Sequence, residues 1–396
     1  MRILIVANFC LDFNGNVDGR FLYLAELLSQ RGHDVELITS DFSHSTKKRK
    51  VRPLQEAYKT KLTYCHEPGY VKHTGIKRLW SHYVWGKNVM KYVKTIEKPD
   101  LIYCAIPSLT SARLLAGYCK RNHIRFAVDI QDLWPEAIFM LLKNRILRSF
   151  TLPMKWYANK SYAAADYIIA VSRTYVNRAL SVNKKHPKHL SVFLGNDKAY
   201  FEKGLKFLQK KPIDEFWINY VGTLSYSYDL KCVIDAIELL NKRETIDKKL
   251  RFVVCGDGPL RKQFEDYAKA RRIDFCFYGK LPYAEMVGVM CSSDVVVNCI
   301  TRGAAQSITN KIGDYALSGL PVINTQESDE YRAMVEKYQC GINCECGNSE
   351  QVADAIKKLV NDRNLRKSMG YNSSVLGREL FDRRHTYLQI VNMITE

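Results

Sequence analysis

The chain has 396 residues, 46% of them hydrophobic, and 60 Lys and Arg against 41 Asp and Glu give a formal net charge of +19. Length and apolar content suit two ordinary domains with buried cores and exclude a disordered or low-complexity chain. No run approaches the ~18 apolar residues of a membrane span, and the twelve cysteines contain no CxxC pair, which favours reduced thiols over a zinc site or a disulfide framework.

Ile3–Ala7 predicts a first buried strand. Asn8 and Asp12 interrupt the apolar run and no small-residue cleavage site follows, so the segment reads as a strand and not as a signal peptide. A helical pattern covers Arg20–Arg31 and a second strand Val35–Thr39. In the turn before that helix, Gly15, Asn16 and Gly19 allow backbone to approach a ligand at the carboxyl edge of a sheet. Lys47-Lys-Arg-Lys50 reads as a solvated loop. Residues 78–98 and 143–160 set Trp80, Tyr83, Trp85, Trp156 and Tyr157 among cations, a pattern that suits the interface of an anionic bilayer as well as ordinary helix packing.

Strands at Leu101–Ile106, Arg125–Asp129 and Tyr167–Val171 continue the series, with helices near 108–122, 150–164 and 174–182. Asp129-Ile-Gln-Asp132-Leu-Trp134-Pro-Glu136 directly follows a strand. Its carboxylates, beside Trp134, are candidates to orient hydroxyl groups or, at Asp132, to act as a base; a charged turn with a packed Trp134 is the alternative. A second strand series covers Ile218–Gly222, Arg251–Cys255, Phe275–Tyr278, Asp294–Cys299 and Pro321–Asn324, again with helices between. Alternation of this kind means βαβ units and parallel sheets. The fold class is therefore α/β, with two doubly wound domains in tandem joined near Leu194–Asp197. Charge is uneven between the halves: residues 1–196 hold 31 Lys and Arg against 14 Asp and Glu, a net of +17, and the rest hold 29 against 27, a net of +2. Such a field attracts nucleic acid, an anionic membrane or a phosphorylated substrate, but the chain shows no nucleic-acid module.

Residues 302–325, RGAAQSITNKIGDYALSGLPVINT, place a small-residue turn before a helix start at Thr309. Lys311 falls in the first helical turn and Asp314 one turn later. A helix N-terminus with an added lysine suits a phosphate, and a carboxylate one turn on suits sugar hydroxyls. Three further glycine-bearing strand ends, Gly222-Thr223, Gly256-Asp-Gly258 and Gly279-Lys280-Leu281, would share that sheet edge.

The 302–325 segment resembles the nucleotide-sugar signature of glycosyltransferase family 4. The three glycine loops match the second-domain loops of that family in order, and Asp-x-x-Asp-Leu-Trp-Pro looks like a motif of its bacterial members that build O-antigen or capsule polysaccharides. The resemblance implies the GT-B architecture: two Rossmann-like domains facing across a cleft, here 1–196 for the acceptor and 197–375 for the donor, with a C-terminal helix, 376–396, crossing back to the first. It implies a retaining transfer from a nucleotide-diphosphate sugar, without cofactor or metal. Lys311 would stabilise the leaving diphosphate. Asp314 would hold the ribose, with Arg302, Ser307, Thr309 and Asn310 completing the donor site. Gln306 stands where the family has its first acidic residue; an amide is neither base nor nucleophile, so it would contact the donor sugar by hydrogen bonding. Thr223 and Tyr228 stand where many relatives carry an Arg and a Lys, and the strand-four loop has no histidine. On the acceptor side the implied residues are Gly15, Asn16, Gly19, Asp129, Trp134 and Glu136. The acceptor would be a polyprenyl-diphosphate-linked glycan, reached by a cytoplasmic protein peripheral on the inner face of the membrane. An epimerase of the same architecture and a degenerate nucleotide-sugar-binding protein are the alternatives.

Overall fold

In a computed structural model of the chain, residues 1–10, 19–51, 55–72, 75–136, 151–243, 246–303 and 308–396 are described. They form two compact units, Met1–Phe193 with Tyr387–Glu396, and Leu194–Thr386. Residues 376–386, grouped in the sequence analysis with the returning helix, cluster with the second unit.

The first unit runs β1 (Arg2–Ala7), α1 (Arg20–Gln30), β2 (Asp34–Ser40), β3 (Lys61–Cys65), α2 (Ile76–Val93), β4 (Leu101–Ile106), α3 (Leu109–Asn122), β5 (Arg125–Ile130), α4 (Leu152–Ala164), β6 (Tyr167–Ala170), α5 (Arg173–Leu180) and β7 (Lys188–Ser191). Its seven strands are ordered β3-β2-β1-β4-β5-β6-β7 and every pairing is parallel. Helical segments start and stop where local chemistry requires. Proline stands in the first turn of α4, where its missing N–H costs nothing. Ser172 caps α5 by accepting from the Tyr175 N–H.

The second unit runs α6 (Lys198–Glu202), β8 (Glu215–Val221), α7 (Leu230–Arg243), β9 (Lys249–Cys255), α8 (Arg261–Ala270), β10 (Asp274–Gly279), α9 (Tyr283–Cys291), β11 (Val295–Asn298), α10 (Asn310–Ser318), β12 (Val322–Asn324), α11 (Asp329–Tyr338), β13 (Gly341–Asn343), α12 (Ser349–Asn361) and α13 (Arg363–Leu376). Its six parallel strands are ordered β10-β9-β8-β11-β12-β13. In each sheet the chain reverses direction of travel once, between β1 and β4 and between β8 and β11. Open α/β sheets bind ligands at the carboxyl ends of the strands beside such a switch point.

The final helix, α14 (Arg383–Thr395), belongs from Tyr387 onward to the first unit. Tyr387, Ile390, Val391 and Ile394 are buried in one cluster with Ile3, Ile5, Leu101 and Tyr103. The crossing back implied by the family resemblance is thus present as core packing. Sequence periodicity found the central strands and missed β3, β7 and β13. Among these three, β3 and β7 lie at the two edges of the first sheet and β13 at one edge of the second, and each is at most five residues long.

Candidate functional site

At the carboxyl edge of the second sheet, glycines let three loops interlock. Gly222 follows β8 with φ +142, a value L-residues rarely adopt, and a methyl group on Gly256 would lie 1.8 Å from the Gly222 carbonyl oxygen. A methyl on Gly258 would lie 2.3 Å from the Leu224 oxygen. Backbone hydrogen bonds tie the same loops: the Gly222 N–H donates to Cys255 O, Leu224 to Asp257 O, and Gly256 to Gly279 O. Gly222, Gly256, Gly258 and Gly279 are therefore brought together as expected, and part of their purpose is mutual packing. Thr223 and Lys280 are exposed beside them and Leu281 is half-buried; the Thr223 carbonyl accepts from the Tyr220 hydroxyl.

Helix α10 starts against this cluster. The Lys311 side chain passes Gly222, whose missing methyl would lie 3.8 Å from Lys311 Cδ. Its Nζ is buried without a hydrogen-bond partner, 4.0 Å from the Tyr228 ring centre and 4.5 Å from that of Tyr220. Burial pushes its pKa down to about 7, only partly opposed by Cys299. Tyr228, noted in the sequence only as the absence of a lysine, is thus one of two aromatic seats for Lys311. No side chain caps the helix start at Thr309, and the Thr309 Oγ1 is also buried without a partner. The exposed Asn310 opens the helix. An uncapped helix N-terminus carries unsatisfied N–H groups and partial positive charge, so this edge concentrates donors with no internal acceptor.

Asp314 is buried one turn further on. Its Oδ1 accepts from Asn196 Nδ2 and, at 2.7 Å, from the Tyr283 hydroxyl, and the Tyr283 ring stacks on Tyr200 at 5.2 Å. Neither Asn196 nor Tyr283 was legible as its partner, since they lie far from it in sequence. Arg302 stands on the surface, 3.5 Å from Glu327 Oε1, and donates to the Cys346 carbonyl. Gln306 and Ser307 lie outside the described residues, as do Gly15 and Asn16.

At the first sheet's carboxyl edge one expectation is overturned. Asp129 is 0% exposed: its Oδ2 accepts from Arg20 Nε at 2.7 Å and from the Tyr103 hydroxyl at 2.5 Å. Burial works against the Arg20 charge, but Asp129 outweighs it and holds the guanidinium above its ordinary pKa. Arg20 also donates to the carbonyls of Val192 and Phe193 and to the Tyr387 hydroxyl. Asp129 is thus an interior anchor and no surface carboxylate for an acceptor. Glu136 is paired with Arg178 Nε at 2.6 Å, and Gly19 is a buried, extended residue at the start of α1.

Asp132 remains at the surface; the protein crowding its carboxyl raises the pKa, while Arg78 draws it down. Around Trp134 the structure assembles groups the sequence did not connect. The Arg78 guanidinium lies 4.5 Å from the Trp134 ring, 5.7 Å from Phe9 and 5.8 Å from Tyr70, and the His82 ring stacks on Trp134. Burial takes the His82 pKa down to about 3, helped by Arg78 and His44, so it is neutral near pH 7. Lys47, assigned to a solvated loop, instead donates to the His44 carbonyl and faces the Tyr70 ring at 4.8 Å. Lys50 donates to Cys10 O, and Arg49 to Asp41 and Glu67 O. Among the described residues no three His, Cys, Asp or Glu side chains gather in a metal-binding group.

Residues 20–193 match the family model Glycosyltransferase Family 4 and residues 204–375 match Glycosyl transferases group 1. An uncharacterized glycosyltransferase of Methanocaldococcus jannaschii, MJ1178, is 24% identical over 322 residues, covering 79% of each chain. Sucrose-phosphate synthase from Thermosynechococcus elongatus superposes with TM-score 0.70 at 15% identity, over 100% of this chain and 98% of that one. Anabaena HepE in complex with UDP superposes with TM-score 0.69 at 15% identity, over 100% of both chains.

Proposed function

We propose that this chain, a glycosyltransferase of GT-B type whose halves belong to Glycosyltransferase Family 4 and to the glycosyl transferases group 1, moves a sugar with retention from a nucleotide-diphosphate sugar to a lipid-linked glycan. The observation that carries the donor assignment is the second unit's carboxyl edge, where an unpartnered lysine ammonium, an uncapped helix start and interlocked glycine loops converge. The complex of the fold relative HepE with UDP supports a nucleoside diphosphate as the leaving group.

In the proposed reaction the bond from the anomeric carbon to the β-phosphate oxygen breaks as the acceptor oxygen bonds to that carbon on the same face. The acceptor proton passes to the departing phosphate oxygen, so no side chain need serve as nucleophile. Lys311 and the α10 N–H groups stabilise the charge growing on the diphosphate, the kind of preorganised effect that typically dominates such steps. Asp314, oriented by Asn196 and Tyr283, is the candidate for the ribose hydroxyls. Gln306 is the candidate contact to the donor sugar and Asp132 the candidate to orient the acceptor hydroxyl. Transfer without a metal belongs to the same proposal, and undiminished turnover after chelation is its test.

The lipid-linked acceptor, peripheral membrane binding and a place in surface-polysaccharide synthesis rest on the +17 charge of residues 1–196 and on the aromatic side chains exposed among those cations. Trp80, Tyr83 and Trp156 are 55%, 46% and 48% exposed, and no helix among the described residues is long and apolar enough to cross a membrane. Release of labelled sugar from a panel of nucleotide sugars tests the central reading. Wild-type protein should hydrolyse or transfer one of them, and Lys311→Ala should lose about a hundredfold to a thousandfold in rate. Equal rates in the two proteins remove Lys311 from the mechanism.

A further inference from the structure

The first unit contains a second concentration of positive charge that the transfer reaction does not use. Between α3 and the end of α4 lies a cavity of about 740 Å³, a volume within the usual range for small-molecule sites. Arg113, Lys120, Arg121, Arg125, Lys160 and Lys185 line it, over an apolar floor that includes Ala116, Ile124 and Phe126. Among the described residues Asp166 is the one carboxylate in the lining, and it is already engaged, accepting from Lys185 Nζ at 3.0 Å and from the Phe126 N–H. Five cations are left without a carboxylate in the cavity.

Neutralising the helix ends explains part of this charge. Lys120 and Arg121 lie in the last turn of α3, where cations favour the macrodipole. Arg113 does not fit that account, because it lies in the second turn of the helix. Its guanidinium instead converges with that of Arg121 over Gly117, at i, i+4 and i+8 on one face of α3. A methyl group on Gly117 would lie 3.4 Å from Arg113 Nη1 and 3.6 Å from Arg121 Nη1. Arg113 is also held 4.9 Å from the Trp156 ring, with Lys160 5.9 Å from the same ring. Like charges gathered on a protein wall repel one another and focus field lines outward, an arrangement that an anion relieves.

We propose that this cavity binds a phosphate-bearing ligand, with Arg113 and Arg121 as the paired donors and Lys120, Arg125 and Lys160 supplying the surrounding field. Guanidinium forks suit phosphate oxygens in both geometry and charge. The cavity opens at the amino edge of the first sheet, at Arg125 and Asp166, whereas open α/β sheets bind ligands at the carboxyl ends of their strands. A six-residue strand separates the two edges by about 20 Å, so the site is distinct from the carboxyl edge and does not rest on the transfer reading. The phosphate can belong to an anionic lipid headgroup, which the exposed Leu152 and Trp156 on α4 would accompany, or to a soluble phosphate ester.

The test is binding of two probes by the full chain, with Lys311→Ala added to every protein whose binding is compared so that the second unit's diphosphate edge does not contribute: inorganic pyrophosphate by calorimetry, and phosphatidylcholine vesicles with or without phosphatidic acid by flotation. Gly117→Glu sets a carboxylate between the two guanidiniums at a helical position whose added Cβ has room, and it also replaces glycine by a better helix former. It should weaken binding of whichever probe the Lys311→Ala parent takes by about tenfold or more, as should the Arg113→Ala/Arg121→Ala double variant. Lys262→Ala/Lys269→Ala, an equal loss of charge on α8, should not. Donor hydrolysis, read with Lys311 intact, should be unchanged in Gly117→Glu, which separates this site from the catalytic edge. Loss of pyrophosphate binding identifies a soluble phosphate ester as ligand class, and loss confined to phosphatidic acid vesicles identifies the lipid headgroup. Undiminished affinity in Gly117→Glu for both probes, or no binding of either by the Lys311→Ala parent, overturns the proposal.

Discussion

Lys311 illustrates a residue that costs stability where it serves function. An amine buried without a hydrogen-bond partner is unfavourable by roughly 1–3 kcal/mol in protein mutational series, so Lys311→Met should raise thermal stability while abolishing transfer; a lower unfolding midpoint would contradict the cost assigned to it. The pKa of about 7 adds a pH dependence. Between about 7 and the ordinary lysine value, the unfolded chain binds more protons at this site than the folded one. Stability should therefore rise with pH across that window, and the penalty should be complete below it. Ligand binding runs the other way. A diphosphate prefers the ammonium form, so its affinity should fall by about tenfold per pH unit above about 7, with proton uptake visible in calorimetry across buffers of different ionisation enthalpy. Affinity independent of pH from 6 to 9 would mean that Lys311 stays charged in the unliganded protein or does not meet the phosphate. None of this was legible in the sequence. The lysine and the helix start were, but the seat formed by Tyr220 and Tyr228 depends on which face of a loop packs against α10. Asp129 shows the converse. Its motif reads as a polar turn, yet its partner Arg20 lies 109 residues away and turns the carboxylate inward.

Among the elements, the central strands and the apolar edge strand β10 announced themselves, and the polar or three-residue edge strands did not. β1, β4 and β8 are mostly apolar and almost wholly buried, which is the signature of a parallel strand covered on both faces. β3 and β7 carry charged or polar residues that edge positions tolerate, so their sequences resemble loops. β11, β12 and β13 are short but are joined by side chains as well as backbone. Asn298 Nδ2 donates to Asn324 Oδ1 at 2.9 Å and Asn324 Nδ2 to Asn343 Oδ1 at 2.8 Å, with the three residues in register across the sheet. Asn324→Ala should destabilise the second unit by roughly 1–3 kcal/mol, because it removes the buried amide that links Asn298, which keeps Gln326 Oε1 as a partner, to the half-buried Asn343; a change under about 0.5 kcal/mol in denaturant unfolding would show that the ladder is dispensable. Helix α14 is the other element whose role exceeds its sequence signal. Ile390→Ala should cost the first unit about 2–5 kcal/mol as a core truncation, and a loss below about 1 kcal/mol would mean that the helix is only loosely docked.

On the scale of the molecule, the charge divides as the proposed tasks divide. The strongly basic first half and the nearly neutral second half fit an enzyme that meets a charged, surface-bound acceptor with one unit and a soluble donor with the other. Each Lys or Arg near an anionic surface contributes about 1 kcal/mol, and the attraction reaches about 30 Å at 0.01 M salt but only about 3 Å at 1 M. Anionic vesicles should therefore retain the protein at the lower ionic strength and release it at the higher one; retention by neutral vesicles at both would assign binding to the exposed aromatic residues alone. The central claim, however, is that the carboxyl edge of the second unit receives the diphosphate of a nucleotide sugar through Lys311. Calorimetric titration of wild-type and Lys311→Ala protein with a nucleoside diphosphate, UDP first, tests it most directly. The account predicts saturable one-to-one binding that weakens about a hundredfold in the variant without loss of folded structure; equal affinities in the two proteins would contradict it.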